Sequence, residues 1–493
     1  MITPDHFTAL FDPRAIVVAG ASTHPGKFGF VALHNILSCG FAGPVHATNR
    51  ERTDVLGRPT VADLEEIPDG EVDLVFVCTP AGSNPTVLRQ AAAKGIKAAF
   101  IASAGYGESG EEGLVLQQEL VALADELGIL LVGPNGQGLV STPSSLCAQI
   151  VAPYPPGGSI GIASQSGNFV SSFMNLSRQS GVGVSRAISV GNAAQVGVID
   201  MLEYFADDDA TGVGLVYLEG VDDGRRFAER LEEVCRRMPV VVVKGGASGS
   251  GARAAASHTG SLATDDRVFD GMLRQVGATR ASSVAEAFDI AAAFATVARP
   301  AGPRLAVVTT VGGWGVLAAD ATASTSLELT GLPDDLRSTL DGLLPPRWSR
   351  NNPIDLAGGE TKDTVPAVID AVVGHPEIDA VLVLGTGIQS NQGRLERDGP
   401  FFPEHGLERI VSFHERQDAR YVDVALGAAR TAGKPVMVAS ELAVADPQNA
   451  AVAAVRNAGS YCFPSAERAV VALHHMVERE RWLRSFNDDA VGM

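Results

Sequence analysis

The residue with the most chemical promise is His258, in Ser257-His258-Thr259-Gly260. It ends a biased stretch: from Lys244 to Ser261, fourteen of eighteen residues are Gly, Ala or Ser. Such a segment has too little apolar bulk to anchor a core and predicts a flexible loop. An imidazole on that tether can approach a reactant and act as a nucleophile toward an activated phosphoryl group. A solvated surface histidine is the plainer alternative. Two other turns could serve the same chemistry. Ser164-Gln165-Ser166-Gly167 follows the run Ser159–Ala163 and opens a helical segment, offering amides and hydroxyls to a phosphate. Tyr217-Leu218-Glu219-Gly220 puts a carboxylate where it can bond one imidazole nitrogen and leave the other nucleophilic. Gly191-Asn192, after Val184–Val190, is a further candidate for that pocket. Each also reads as an ordinary strand-to-helix turn or a solvated strand end.

A second Gly-rich turn lies near the N-terminus, Gly20-Ala21-Ser22-Thr23-His24-Pro25-Gly26-Lys27. It follows an apolar run and opens a helix, the place where a βαβ unit holds a phosphate. It is neither a Walker A loop, since Phe28 stands where Ser/Thr would bind Mg²⁺, nor a G-x-G-x-x-G fingerprint. The acid expected at the end of the second strand of an NAD site is missing. The run Val45–Thr48 ends instead in Asn49-Arg50. A basic residue there suits a ligand with an extra ribose phosphate, coenzyme A or NADP. A turn that merely packs helix on strand remains open.

The elements that must position these residues repeat one pattern: a short β-branched run, a Gly/Ser/Pro turn, then a helix-period segment. Continuous apolar runs are what strands buried on both faces look like, and their alternation with helices implies parallel sheets. The series restarts after PYPPGG at 153–158 and after ARPAGP at 298–303. This predicts an α/β chain of three consecutive doubly wound domains, 1–152, 153–300 and 301–493. With 493 residues, three such domains are each large enough for a core. A formal charge of −19 disfavours nucleic acid and anionic membrane as partners. Five scattered cysteines without a C-x-x-C pair fit a reducing cytoplasm and neither a disulfide scaffold nor a zinc site. No signal sequence and no span of ~20 apolar residues is visible. A cytoplasmic protein is expected.

The first segment resembles the CoA-binding domain of the nucleotide-diphosphate-forming acyl-CoA synthetases, relatives of succinyl-CoA synthetase. The matching pieces are Gly20-Ala21-Ser22, Pro25-Gly26-Lys27, Thr79-Pro80-Ala81, Gly105–Glu108 and Gly133-Pro134-Asn135. The stretch from Gly251 to Gly260 resembles that family's phosphohistidine loop, and Leu218-Glu219-Gly220 the context of its glutamate partner. Val311–Gly315, Asn352–Leu356 and Phe463–Ala469 match its last domain, although Trp314 departs from the usual small residue or Pro. The resemblance implies a Rossmann-like CoA-binding domain followed by two flavodoxin-like domains. Gly20, Ser22, Lys27, Asn49, Arg50, Thr79, Pro80 and Asn135 would serve CoA. His258 would carry the phosphoryl group, assisted by Glu219. Ser164, Gln165, Ser166, Gly167, Gly191 and Asn192 would hold phosphate, and no metal ligand is expected on this chain.

No counterpart of the family's ATP-grasp half follows the third segment. The resemblance is therefore to an α subunit, with ADP/ATP and Mg²⁺ on an ATP-grasp β partner and a small carboxylic acid or acyl-CoA as substrate. A CoA-binding regulatory or scaffold protein without turnover is the alternative, and an NADP-linked oxidoreductase a more distant one. The family usually has Cys after Gly-Pro-Asn, whereas Gly136-Gln137 stands here, which predicts a roomier acyl environment.

Overall fold

The computed structural model describes residues 2–151, 153–221, 223–248, 250–251, 265–356, 358 and 363–491. They form three sheets. The first contains β1 (Ile16–Ala19), β2 (Val45–Thr48), β3 (Leu74–Val77), β4 (Ala98–Ile101) and β5 (Leu130–Val132), all parallel, in the order β2-β1-β3-β4-β5. Every residue of β1, β3, β4 and β5 is buried, as continuous apolar runs require when helices cover both faces.

The second sheet has seven strands. They are β6 (Gly138–Ser141), β7 (Leu146–Gln149), β8 (Gly157–Ser164), β9 (Val184–Ser189), β10 (Val213–Leu218), β11 (Val240–Lys244) and β12 (Thr279–Ala281). Its parallel strands run β12-β11-β10-β8-β9, and the antiparallel hairpin β6–β7 extends it beyond β9. The sequence pattern groups these hairpin residues with the first domain. They pair with the second sheet because β9 would otherwise be an unpaired edge, and β6 satisfies it from Gly138 opposite Ser189 to Ser141 opposite Arg186.

The third sheet holds β13 (Arg304–Thr309), β14 (Glu328–Leu329), β15 (Ile354–Asp355), β16 (Ala380–Leu384), β17 (Val436–Ala439) and β18 (Cys462–Phe463). Its order is β14-β13-β16-β17-β18, with β15 also on β13. The chain packs as two compact units, residues 1–178 with 183–287 and residues 179–182 with 288–493. The first unit contains the first two sheets and the second contains the third. No helix among the described residues is long and apolar enough to cross a membrane.

In the first unit the N-terminal helix α1 (Pro4–Phe11) is anchored on the second sheet. Phe7 and Phe11 stack on Tyr204 with ring centroids 5.4 and 5.1 Å apart. Asp12, just after α1, takes both terminal nitrogens of Arg186 at 2.7 and 2.8 Å. Arg186 is 3% exposed and also reaches Asp208, Nε to Oδ2 at 3.1 Å. Burial opposes the Arg186 charge, but Asp12 and Asp208 outweigh it and hold the guanidinium above its ordinary pKa. Burial likewise pushes the Asp208 carboxyl up, while Arg186, Thr211 and the Ala210 amide outweigh it and hold the pKa below the usual value.

Arg186→Met leaves two partly buried carboxylates without their cation. It should cost about 3–5 kcal/mol, seen as a lower melting temperature of the full chain. Because the folded Asp208 pKa is depressed, its stabilisation is present above the unfolded value of about 3.9 and lost as pH falls below it. The acid-side fall in melting temperature should therefore be shallower in Arg186→Met than in wild type.

Candidate functional site

The first Gly-rich turn sits at the carboxyl end of β1, between β2 and β3. Gly20 has φ of +86°, and a Cβ on it would lie 3.0 Å from Thr79 Cγ2. Only glycine takes that conformation at that approach without strain. The Gly20 amide donates to Thr48 Oγ1 at 3.1 Å, and the Ala21 amide to the Thr48 carbonyl at 2.8 Å. The helix α2 (Phe28–Ser38) packs directly on the turn, because a Cβ on Gly29 would come within 2.1 Å of the Gly20 carbonyl oxygen. Ser22 Oγ accepts the His24 amide at 3.1 Å, and Lys27 stands exposed at the N-cap of α2. Gly20, Ser22, Lys27, Arg50, Thr79 and Pro80 thus share the rim formed by the ends of β1, β2 and β3.

Asn49 plays another part there. Its Nδ2 donates to the Ala21 carbonyl at 2.9 Å and its Oδ1 accepts the Glu51 amide at 2.9 Å. The side chain clasps the turn, and the exposed neighbour Arg50 is the group that faces solvent. The sequence reading missed Asn84, which is fully buried beneath Thr79. Its amide group lies 2.8 Å from Thr79 Oγ1, 2.9 Å from Ser103 Oγ and 2.8 Å from the Tyr106 hydroxyl. The Asn-Pro start of a helix, reached from Thr79-Pro80 through Ala81–Ser83, was its only local signal.

In the second sheet the adjacent ends of β8 and β10 carry the other two turns. Ser164 Oγ accepts the Ser166 amide at 3.1 Å, which shapes the turn opening the helix Gly167–Ser180. Gln165 brackets the pair: its Oε1 accepts the Glu219 amide at 2.5 Å, and its Nε2 donates to the Gly220 carbonyl at 3.1 Å. Glu219 is half-buried, with its carboxylate near enough to the Tyr217 hydroxyl to act on it. Burial, then the neighbouring Glu219, push the Tyr217 phenol up to about 12. Phe169 stacks on Tyr217 at 3.7 Å. The strand β11 leaves beside this group, since a Cβ on Gly245 would lie 2.6 Å from the Tyr217 hydroxyl. His258 itself lies outside the described residues. A cavity of about 380 Å³ adjoins Gln165 and Gly220, bordered by Asn192, Arg226 and Arg230. Arg230 is neutralised by Asp200 at 2.7 Å and Glu203 at 2.6 Å.

The loops of the first two sheets meet at Asn135 and Asn192. Asn135 Nδ2 donates to Asn192 Oδ1 at 3.3 Å, and the Asn192 amide to the Pro134 carbonyl at 2.9 Å. Asn192 Nδ2 is committed to Glu108 Oε2 at 2.5 Å and Gln117 Oε1 at 2.9 Å. Burial would raise the Glu108 carboxyl, but Asn192 and the Gly105 and Tyr106 amides hold it below its ordinary pKa. Gly191, at φ +56°, permits the approach, for a Cβ would sit 2.2 Å from the Pro134 oxygen. The expected open space at Gly136 is absent. A Cβ there would lie 2.5 Å from Phe100 Cζ and 2.9 Å from the Ser189 oxygen, so the Phe100 ring fills the room. Gln137 fills the next gap, its carboxamide where a Cβ of Gly167 would be.

In the third sheet, Asn352 is structural. Its Oδ1 accepts the Val307 amide at 2.9 Å and its Nδ2 donates to the Leu305 and Thr330 carbonyls at 2.7 and 3.0 Å. Trp314 lines a separate cavity of about 300 Å³ with Leu317, Leu384, Glu441, Pro464 and Glu467. Among the described residues, no group of three or more His, Cys, Asp or Glu could hold a metal ion.

Known proteins match this arrangement along the chain. A CoA binding domain matches residues 14–141, a succinyl-CoA ligase like flavodoxin domain residues 157–294, and a ligase-CoA domain residues 305–388. The α subunit of acetate–CoA ligase [ADP-forming] I of Pyrococcus furiosus is 38% identical over 380 residues, covering 76% of this chain and 82% of that one. Acetate–CoA ligase [ADP-forming] I of Archaeoglobus fulgidus is 38% identical over 377 residues, and the match spans 54% of its length. The dinucleotide forming acetyl-coenzyme A synthetase 1 of Ca. Korarchaeum cryptofilum, solved with phosphate and ADP, superposes with a TM-score of 0.83 at 31% identity. That match covers 97% of both chains. These relatives are synthetases, which favours the enzyme over the regulatory alternative. By sequence identity, domain order and fold together, the chain belongs to the ADP-forming acetate–CoA ligases, the NDP-forming acyl-CoA synthetases, as an α subunit of that family.

Proposed function

We propose that the chain interconverts acyl-CoA, phosphate and ADP with carboxylic acid, CoA and ATP, by way of an acyl phosphate and a phosphohistidine at His258. The observation that carries this reading is the meeting of the turns of two sheets within one compact unit, joined at Asn135 and Asn192. The CoA side is the rim of Gly20, Ser22, Lys27, Arg50, Thr79 and Pro80. A backbone turn with Lys27 and Arg50 exposed, and no acid at the end of β2, fits a phosphorylated nucleotide better than a ribose diol. CoA is a substrate there and supplies the thiol.

On the second sheet, the free amides at the start of the helix Gly167–Ser180 would hold a phosphoryl group, with Ser164 shaping the turn. Glu219 would accept one imidazole N–H of His258, so that the other nitrogen attacks phosphorus. The loop leaves β11 beside Tyr217 and Glu219, and seven residues from Gly251 to His258 span at most about 25 Å. An ATP-grasp β subunit, with ADP/ATP and Mg²⁺, must therefore dock within that reach. We retain the division 1–152, 153–300 and 301–493 for the working domains, with the hairpin 138–149 bridging the first two. The site of action would be the cytoplasm.

With γ-labelled ATP and an ATP-grasp partner, the wild-type chain should acquire acid-labile, base-stable label that His258→Ala lacks. Glu219→Gln should be labelled more slowly. The chain without its partner should show neither label nor acyl-CoA formation. Undiminished label in His258→Ala would overturn the assignment.

Free CoA at about 100 times its dissociation constant should add about 2.7 kcal/mol of apparent stability, read as a thermal shift. NADPH should give none. A shift with NADPH alone would point to the dinucleotide reading.

Gly136→Cys should destabilise the fold by about 1–3 kcal/mol through overpacking against Phe100, seen as a lower melting temperature, and change acid preference little. Combining it with Phe100→Leu should recover stability. A broadened acid profile in Gly136→Cys at full stability would place Gly136 on the acyl pocket wall instead.

A further inference from the structure

Cys39 follows the last turn of α2 and Cys147 lies in β7, far apart in sequence. Asn35, one helical turn before Cys39, donates from Nδ2 to the Gln149 carbonyl at 2.8 Å. Residues four apart on a helix share a face, and so do residues two apart on a strand. With α2 packed on β7, the Asn35–Gln149 bond brings Cys39 toward Cys147, and the two thiols are close enough for each to shift the other's pKa. Gln149 Nε2 also reaches Cys147 Sγ at 3.5 Å. Both are free thiols; Cys147 is buried and Cys39 half-exposed.

We propose that Cys39 and Cys147 form a redox modification site, closing to a reversible disulfide by exchange with a low-molecular-weight disulfide such as oxidised glutathione. The environments divide the labour. The neighbouring Cys147 lowers the Cys39 pKa, whereas Cys39 and burial raise the Cys147 pKa. The Cys39 thiolate attacks one sulfur of RSSR, forming a mixed disulfide and releasing RS⁻. Cys147 then loses its proton and attacks the Cys39 sulfur, expelling the second RS⁻. The two thiol protons end on the two RS⁻ groups, so one RSSR is reduced to two RSH as the pair is oxidised. The bond ties the helix that begins at the Gly20–Lys27 turn to the edge strand of the second sheet.

The test incubates the full chain with oxidised glutathione, alkylates remaining thiols under denaturing conditions, and maps peptides by mass spectrometry. Alkylatable thiols should fall from five to three. One cross-linked peptide pair should join Cys39 to Cys147, and dithiothreitol should restore all five. Cys147→Ser should stop at a glutathione adduct on Cys39, and Cys39→Ser should form no cross-link. If Cys147→Ser proves unstable, Cys39→Ser alone is decisive. A persistent glutathione adduct in wild type, five free thiols throughout, or thiol loss unaltered in Cys39→Ser would overturn the proposal.

Discussion

The constraint on which this molecule depends is the strand order shared by its three parallel sheets. In each, the leading parallel strand lies between two later ones: β2-β1-β3, β9-β8-β10 and β14-β13-β16. Crossovers from such a strand leave in opposite directions along the sheet, which opens a crevice at its carboxyl end. Gly20 and Thr79 flank the first crevice, Ser164 and Glu219 the second, and Val311 and Gly385 lie at the corresponding ends of the third. The glycines follow from this geometry. At Gly20 and Gly29 the neighbouring backbone and Thr79 occupy the space of a side chain, so the turn stays open to a ligand only because they have none.

Crevices on two sheets make one site only if the sheets are held in register. In the first unit this is done at both ends. At the carboxyl end, Asn135, Asn192 and Glu108 join the loops through hydrogen bonds that include a carboxylate, the stronger kind. At the other end, Arg186 is held by Asp12 and Asp208. An exposed pair such as Arg52 with Glu66 is worth about 0–1 kcal/mol. Removing the cation from a buried cluster costs several times that, because the carboxylates stay behind. The buried cluster therefore constrains geometry far more than the surface pairs do.

What the sequence revealed of this arrangement follows from locality. The strands were legible because burial on both faces leaves a continuous apolar run, as in β1, β3 and β4. The turns were legible because their glycines answer to nearby backbone. Where the deciding atoms come from afar, the reading failed. The bond by which Asn49 clasps the turn, to the Ala21 carbonyl on another strand's end, had no local signal. Gly136 looked like an opening, but Phe100 closes it from another strand. The hairpin β6–β7 crossed to the second sheet because β9 needed a partner. Cys39 and Cys147 looked scattered, since only the packing of α2 on β7 makes them a pair.

The pairing of Tyr217 with Glu219 carries the argument about the second crevice one step further. With its pKa pushed up to about 12, the phenol stays protonated through neutral pH and presents an O–H, not a second charge, to the carboxylate beside it. A neutral neighbour of this kind leaves the charge of Glu219 in place, whereas an arginine there would cancel it. That leaves a carboxyl group at the end of β10, the kind of neighbour that stabilises an imidazole N–H and the positive charge an imidazole gains on becoming phosphorylated. Phe169 stacks on Tyr217, and Gly245 leaves space for its hydroxyl where any side chain would intrude. The strand that launches the His258 segment is thus shaped around the same pair proposed to receive the histidine. Replacing Tyr217 by Phe would keep the stack with Phe169 while removing the hydroxyl beside Glu219, which separates the polar role of Tyr217 from its packing.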